Sequence, residues 1–137
     1  MEIKRKRVSA VIIQDKKILL VRGNSGFYKD FYFTPGGRVE DGESDLETLK
    51  RELMEELSIE LLNFSKYIEY QAPLQNDGGM QQIDCYLITI DIEKIKLASE
   101  IGEMRWFLRA DFENKDLVVS ESTKKFLVPK LIEDGLI

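Results

Sequence analysis

Glu52, Glu55 and Glu56 stand at i, i+3 and i+4. On a helix that spacing sends all three side chains out over an arc of about 100°. Like charges on adjacent turns repel by about 0.2–0.5 kcal/mol per pair, even in water. Two outcomes suit such a triad. One is a solvated acidic face, because glutamate forms helices well. The other is a site for hard divalent cations, which take oxygen ligands. The segment 40–60 holds nine acids against only Lys50 and Arg51. Just upstream runs Thr34-Pro35-Gly36-Gly37-Arg38-Val39-Glu40-Asp41-Gly42-Glu43. Adjacent glycines let backbone approach a ligand closely, offering a carbonyl to a metal or N–H groups to a phosphate. Alone, a Pro-Gly-Gly is most often only a turn.

Composition narrows the chemistry. The chain of 137 residues has no histidine and one cysteine, Cys85. Ser-His-Asp and Cys-His catalysis, histidine-ligated metals and a disulfide framework are therefore excluded. The formal net charge is −5, which disfavours a stable nucleic-acid complex because phosphate neutralisation drives that binding. Gly-x-x-x-x-Gly-Lys-Ser/Thr and Gly-x-Gly-x-x-Gly are both absent. The basic tetrad Lys4-Arg5-Lys6-Arg7 reads as a solvated terminus, with phosphate steering as the alternative. No apolar run reaches the roughly 18 residues of a membrane span, and the basic start is followed by no cleavage-site pattern. The expected location is cytoplasmic, and no membrane partner is expected.

The elements that must position the triad follow from periodicity. Val8–Ile13 and Ile18–Val21 read as buried strands around a turn at 14–17. Gly23–Asp30 reads as a loop, and Phe31–Thr34 as a short strand ending at the Pro-Gly-Gly turn. A helix is expected from Ser44 to about Leu57, with Leu46, Leu49, Leu53 and Leu57 as its apolar stripe. Ser44 and Glu47 form a capping box. Strands near 64–71 and 81–90 flank a loop at Asn76-Asp77-Gly78-Gly79. A short strand around Met104–Leu108 precedes an amphipathic helix from about Ser122, in which Pro129 either introduces a kink or begins a second turn. The order fits one domain over 1–137 of α/β (α+β) class, with helices packed on a mixed sheet.

Loop and helix together resemble the signature box of the Nudix hydrolase (MutT-like) family, G-x5-E-x7-R-E-U-x-E-E-x-G-U, where U is bulky and apolar. Gly37, Glu43, Arg51-Glu52, Leu53, Glu55-Glu56 and Ile59 fit it over residues 37–59, so eight of the nine specified positions match. Ser58 departs, standing where the family has glycine. That glycine ends the helix in a left-handed conformation, and serine there removes no oxygen ligand. Beyond the box, Tyr32–Gly37 resembles the family's aromatic-x-x-Pro-Gly-Gly lead-in. Glu100–Phe107 resembles the acidic loop before a Trp-containing strand.

The resemblance implies an α/β/α sandwich and a Mg²⁺- or Mn²⁺-dependent pyrophosphohydrolase. Its substrate would be a nucleoside diphosphate linked to another group. It makes Glu55 and Glu56 metal ligands, with the carbonyls of Gly36 or Gly37 and the carboxylate of Glu100 completing the shell. Glu52 is either such a ligand or the base toward the water, and Glu100, then Glu103, are candidates for an additional base or ligand. Arg51 supports the site by pairing with Glu43 or Glu52. Phosphates would meet Arg5, Arg7, Arg22 or Arg38. A base would stack on Tyr28, Tyr32, Tyr86 or Trp106. A homodimer is compatible with this reading. The competing reading is a noncatalytic Nudix-like binding domain. Loss of box acids is the usual mark of such a domain, and here every one is retained.

Overall fold

The computed structural model describes residues 3–74 and 78–137. Two sheets carry the fold. Strands β1 (Ile3–Val11), β4 (Gly36–Arg38), β5 (Asn63–Pro73) and β6 (Met80–Thr89) form a mixed sheet in the order β4-β1-β6-β5. Within it β1 runs parallel to β6, and the other pairs are antiparallel. Strands β2 (Ile13–Gln14), β3 (Lys17–Gly23) and β7 (Ile101–Phe107) form an antiparallel sheet in the order β2-β3-β7. The turn expected at 14–17 is a two-residue hairpin, with Asp15 and Lys16 both at positive φ. The chain changes sheets just before it, at Ile12.

Alternation along β1 and β3 divides the core. Val8, Ala10, Ile12, Leu19 and Val21 pack with Leu49, Leu53 and Leu57 of helix α1 (Asp45–Leu57). Val11, Ile18 and Leu20 face the other way, toward Phe107, Leu127, Val128 and Leu131 near helix α2 (Val128–Glu133). Sheets thus lie between two helical layers, the α/β/α arrangement expected. Among the described residues no helix is long and apolar enough to cross a membrane.

Helix α1 has the expected start. Ser44 Oγ accepts from the Glu47 N–H, and the Glu47 carboxylate accepts from the Ser44 N–H. The expected leucine stripe is complete at Leu49, Leu53 and Leu57, while Leu46 is only half-buried. The helix ends at Ser58, which holds the left-handed conformation at φ 55, ψ 39.

Three expectations need correction. Lys4–Arg7 is not a solvated terminus but part of β1. Strand period sends Lys6 to one face, where it pairs with Asp45 at 2.7 Å and Asp84 at 3.1 Å, and turns Arg5 and Arg7 to the other. Phe31–Thr34 forms only isolated bridges, Val21 with Phe33 and Tyr32 with Val119, while the Pro-Gly-Gly segment supplies β4 itself. The third concerns β7, which starts at Ile101 rather than Met104 and so takes in Glu103. Of the two roles open to Pro129 the second holds, since it stands in the first turn of α2. Residues 123–127 form a π turn directly before Pro129, whose missing N–H and ring disfavour a regular α-turn there. Asn76 and Asp77 of the expected hairpin loop lie outside the described residues.

Ser58→Gly should stabilise the fold by about 1 kcal/mol, because glycine takes the left-handed conformation without a Cβ penalty. Urea denaturation would register this as a higher midpoint at unchanged slope.

Candidate active site

The site is built where β4 crosses α1. Gly36 lies opposite Ser9, and Gly37 opposite Val8, in the antiparallel pairing with β1. A Cβ on Gly36 would strike the carbonyl oxygen of Val8, and its φ of 136° strains any other residue. A Cβ on Gly37 would strike the carboxylate of Glu52. Gly37 therefore lets the acidic helix lie directly against the strand, and Gly36 lets β4 pair closely with β1. The Gly36 N–H donates to Glu56 Oε1 at 2.9 Å. Gly36→Ala should cost several times the stability lost in Gly37→Ala by thermal melting, since backbone opposes the first methyl and a movable side chain the second.

Glu52, Glu55 and Glu56 fan out from core to solvent. At 100° per residue, Glu55 and Glu56 fall on opposite sides of Glu52. Glu56 is accordingly buried at 7% exposure, Glu52 is partly buried and Glu55 is exposed. Burial pushes the Glu56 carboxyl up to about 8, opposed by the Gly36 N–H and Arg7 and reinforced by the charges of Glu52 and Glu100. Burial likewise raises Glu52, against the pull of Arg51.

Arg51 ties the loop to the helix. Its Nε and Nη2 grip Glu43 in a two-pronged bond of 2.8 and 2.9 Å, and Nη1 donates to Glu52 at 2.8 Å. Nη2 also reaches the Arg38 carbonyl at 3.1 Å. The Arg51 guanidinium, with the Glu40 N–H and Thr48 hydroxyl, holds Glu43 down at about 2. The loop after β6 closes the far end. Ala98 N–H donates to the Glu56 carbonyl at 3.0 Å, docking that loop on the end of α1 and bringing Glu100 to the cleft.

The cleft has two communicating parts. One, of about 350 Å³, is lined by Gly36, Gly37, Arg38, Glu52, Glu56 and Glu100. The other, of about 540 Å³, is walled by Phe27, Phe31, Tyr70 and Phe126. Arg5, Arg7, Tyr28, Phe33 and Gln81 line both, so they mark the junction. Arg7 donates to the Thr34 carbonyl at 2.7 Å.

Of the residues singled out in the sequence, Arg5, Arg7, Arg38, Tyr28, Glu52, Glu56 and Glu100 meet in this cleft. Glu55 does not line the cleft; it is exposed on α1 and accepts from Arg51 Nη1 at 3.5 Å. Arg22, Tyr32 and Glu103 gather elsewhere. The β3–β7 register sets Arg22 opposite Glu103, the two form an ion pair, and the Arg22 guanidinium lies 5.1 Å over the Tyr32 ring. Tyr86 is buried and donates to Asp45. The sequence reading passed over Phe27, Phe31, Phe33, Tyr70 and Phe126. The density of aromatics over 27–33 was a usable signal, but no local pattern relates Tyr70 to Phe126.

Among the described residues no three carboxylates converge into a ready-made metal cage. Each is held by a neighbour: Glu52 by Arg51 and Glu56 by Gly36. The donor set nonetheless fits a hard divalent cation. It is oxygen-only and anionic, and Glu56 is a buried carboxyl whose charge a cation would stabilise. A pH dependence follows. The folded Glu56 value of about 8 exceeds the ordinary 4.5. Its contribution to stability is therefore complete below 4.5 and is lost as pH rises through 8. Melting of metal-free protein should fall over that range, and Glu56→Gln should flatten the slope.

Comparison with known proteins agrees with this geometry. The NUDIX domain family matches residues 3–127. A curated 8-oxo-dGTP diphosphatase of Buchnera aphidicola subsp. Acyrthosiphon pisum is 41% identical over 64 residues, covering 45% of this chain and 50% of that protein. The match thus spans about half the length of that relative. The MutT NUDIX hydrolase of Burkholderia pseudomallei superposes with a TM-score of 0.76 at 18% identity, over 93% of this chain and 97% of that one. The NUDIX domain of Shewanella oneidensis NrtR, solved with ADP ribose, gives 0.74 at 18% identity, over 98% and 90%. Nudix hydrolases generally use a divalent metal. With the glycine strand, the acidic helix and their arginine tie in place, and the family pattern running through nearly the whole chain, this protein belongs to the Nudix hydrolase family.

Proposed function

We propose that the protein is a Mg²⁺- or Mn²⁺-dependent pyrophosphohydrolase that cleaves a nucleoside diphosphate linked to another group. The observation that carries this reading is Glu56, a carboxylate sunk in the cleft against the Gly36 backbone with Glu52 and Glu100 beside it. A pyrophosphate is a polyanion, and so is this helix face; cations must come between them. Glu52, Glu55 and Glu56 would hold the metal, aided by Glu100 and a Gly36 or Gly37 carbonyl. Bound there, it would neutralise phosphate charge and acidify a water.

The remaining work falls to the chain's own side chains. Arg5 and Arg7, at the junction, pair with phosphate oxygens that the carboxylates would repel. Glu52, with its raised pKa, accepts a proton from the attacking water; without histidine the base must be a carboxylate or a hydroxide. Glu43 and Arg51 fix the Glu52 rotamer. The aromatic chamber takes the base. An 8-oxo-dGTP diphosphatase among the relatives supports a nucleoside triphosphate as substrate.

A screen over nucleoside triphosphates, ADP-ribose, nucleotide-sugars, dinucleoside polyphosphates and capped RNA should give metal-dependent release of a nucleoside monophosphate. Glu55→Gln and Glu56→Gln should each lower kcat by roughly two orders of magnitude or more while the fold persists. Near-normal turnover in both variants would refute the assignment of these carboxylates.

A further inference from the structure

The acids of the cleft are held in different ways. Glu56 is fixed by the Gly36 N–H and Glu52 by Arg51. Glu100 is exposed, and its place is set through its backbone. It stands third in a turn closed by the Ile101 N–H, which donates to the Ala98 carbonyl at 3.0 Å. Helix α1 fixes one side of that turn. The Lys96 N–H donates to the Leu57 carbonyl at 2.9 Å, and the Ala98 N–H to the Glu56 carbonyl. The other side is fixed by one residue, Asn24, just past β3. Its backbone N–H donates to the Glu100 carbonyl at 3.2 Å, and its side-chain Nδ2 donates to the Ser99 carbonyl. A single residue thus takes two successive carbonyls of the turn.

A bulge makes this grip possible. Arg22 lies opposite Glu103, but the next residue, Gly23, lies opposite Ile101, so Gly102 is an extra residue in β7. The core records the consequence. Ile101 and Met104 are three apart yet both pack into the cluster on the α1 side, which regular alternation forbids. The extra residue moves Glu100 by one place and sets it against Asn24. Space is tight there: a Cβ on Gly102 would come within 2.9 Å of Asn24 Cβ and 3.0 Å of the Gly23 carbonyl oxygen. Asn24 itself is exposed, so core packing does not account for its side chain.

We propose that Asn24 is a positioning residue for Glu100: with the Gly102 bulge, it holds the turn so that the Glu100 carboxylate is already beside Glu52 and Glu56 when a cation arrives. On a loose turn, that carboxylate would have to be ordered at each binding event, at a cost in affinity. The inference rests on the metal-dependent hydrolase reading and extends it to how one of its acids is delivered.

The test uses the full chain and Mn²⁺ alone, with free ion counted by its EPR signal. Asn24→Ala should weaken Mn²⁺ binding by about tenfold, and Gly102→Ala, which crowds Asn24 without removing its amide, by a similar factor. Glu100→Gln should cost about as much. The double variant of Asn24→Ala with Glu100→Gln should bind no more weakly than Glu100→Gln alone, because Asn24 acts through that carboxylate. The melting temperature of Asn24→Ala should change little. Should Asn24→Ala or Gly102→Ala fail to fold, the other decides by the same cycle. Unchanged Mn²⁺ affinity in folded Asn24→Ala overturns the inference, and so do losses that multiply in the double variant. Unchanged affinity in Glu100→Gln overturns it too. In these three cases, weakened binding in Glu56→Gln leaves the hydrolase reading standing. Absence of Mn²⁺ binding by the unaltered protein refutes both.

Discussion

Everything in the cleft depends on how closely a strand can approach a helix. Gly37 carries no side chain where β4 meets α1, so Glu52 lies against the strand, and Gly36, fitted close to β1, gives its N–H to Glu56. A methyl on Gly37 would displace the Glu52 carboxylate, and one on Gly36 would press on the Val8 carbonyl of β1 and disturb the strand that holds Glu56. The same closeness removes water from Glu56 and makes its charge unfavourable until a cation arrives.

That arrangement works against the helix that carries it. A helix C-terminus bears partial negative charge and favours cations, yet the last turn of α1 holds Glu55 and Glu56 and no basic residue. Stability is recovered at the other end and alongside. Ser44 and Glu47 cap the first turn, Asp45 and Glu47 suit its positive pole, and Arg51 joins Glu43 to Glu52. Local rules are obeyed where the helix is only scaffold and broken where its side chains face the cleft, the pattern expected of a functional site.

Residues separated by long stretches of chain complete the site, and each arrives by a different route. Strand alternation in β1 turns Arg5 and Arg7 into the cleft and Lys6 away from it. The loop after β6 is pinned to the end of α1 by Ala98 and so delivers Glu100. The π turn before Pro129 carries Thr123 and Phe126 to the chamber wall, where Phe126 stacks on Tyr70 from β5.

What the sequence determined alone was local and periodic. The i, i+3, i+4 glutamates, the leucine stripe, the capping box and the Gly-Gly pair all lie within 36–59, where backbone geometry fixes relative position, and the strands near 64–71 and 81–90 were legible on either side of their loop. Even the unusual residue at 58 could be read, since a helix end demands a left-handed backbone whatever occupies it. Tertiary structure decided the rest, because pairing across the sheets is not written in any short window. The β3–β7 register chose Glu103 as a partner for Arg22, leaving Glu100 for the cleft. Sheet order made β1 a shared wall rather than a free terminus. The graded burial of Glu52, Glu55 and Glu56 came from which side of the helix met β4, and the chamber from side chains that meet only once the sheet and the last helix have packed.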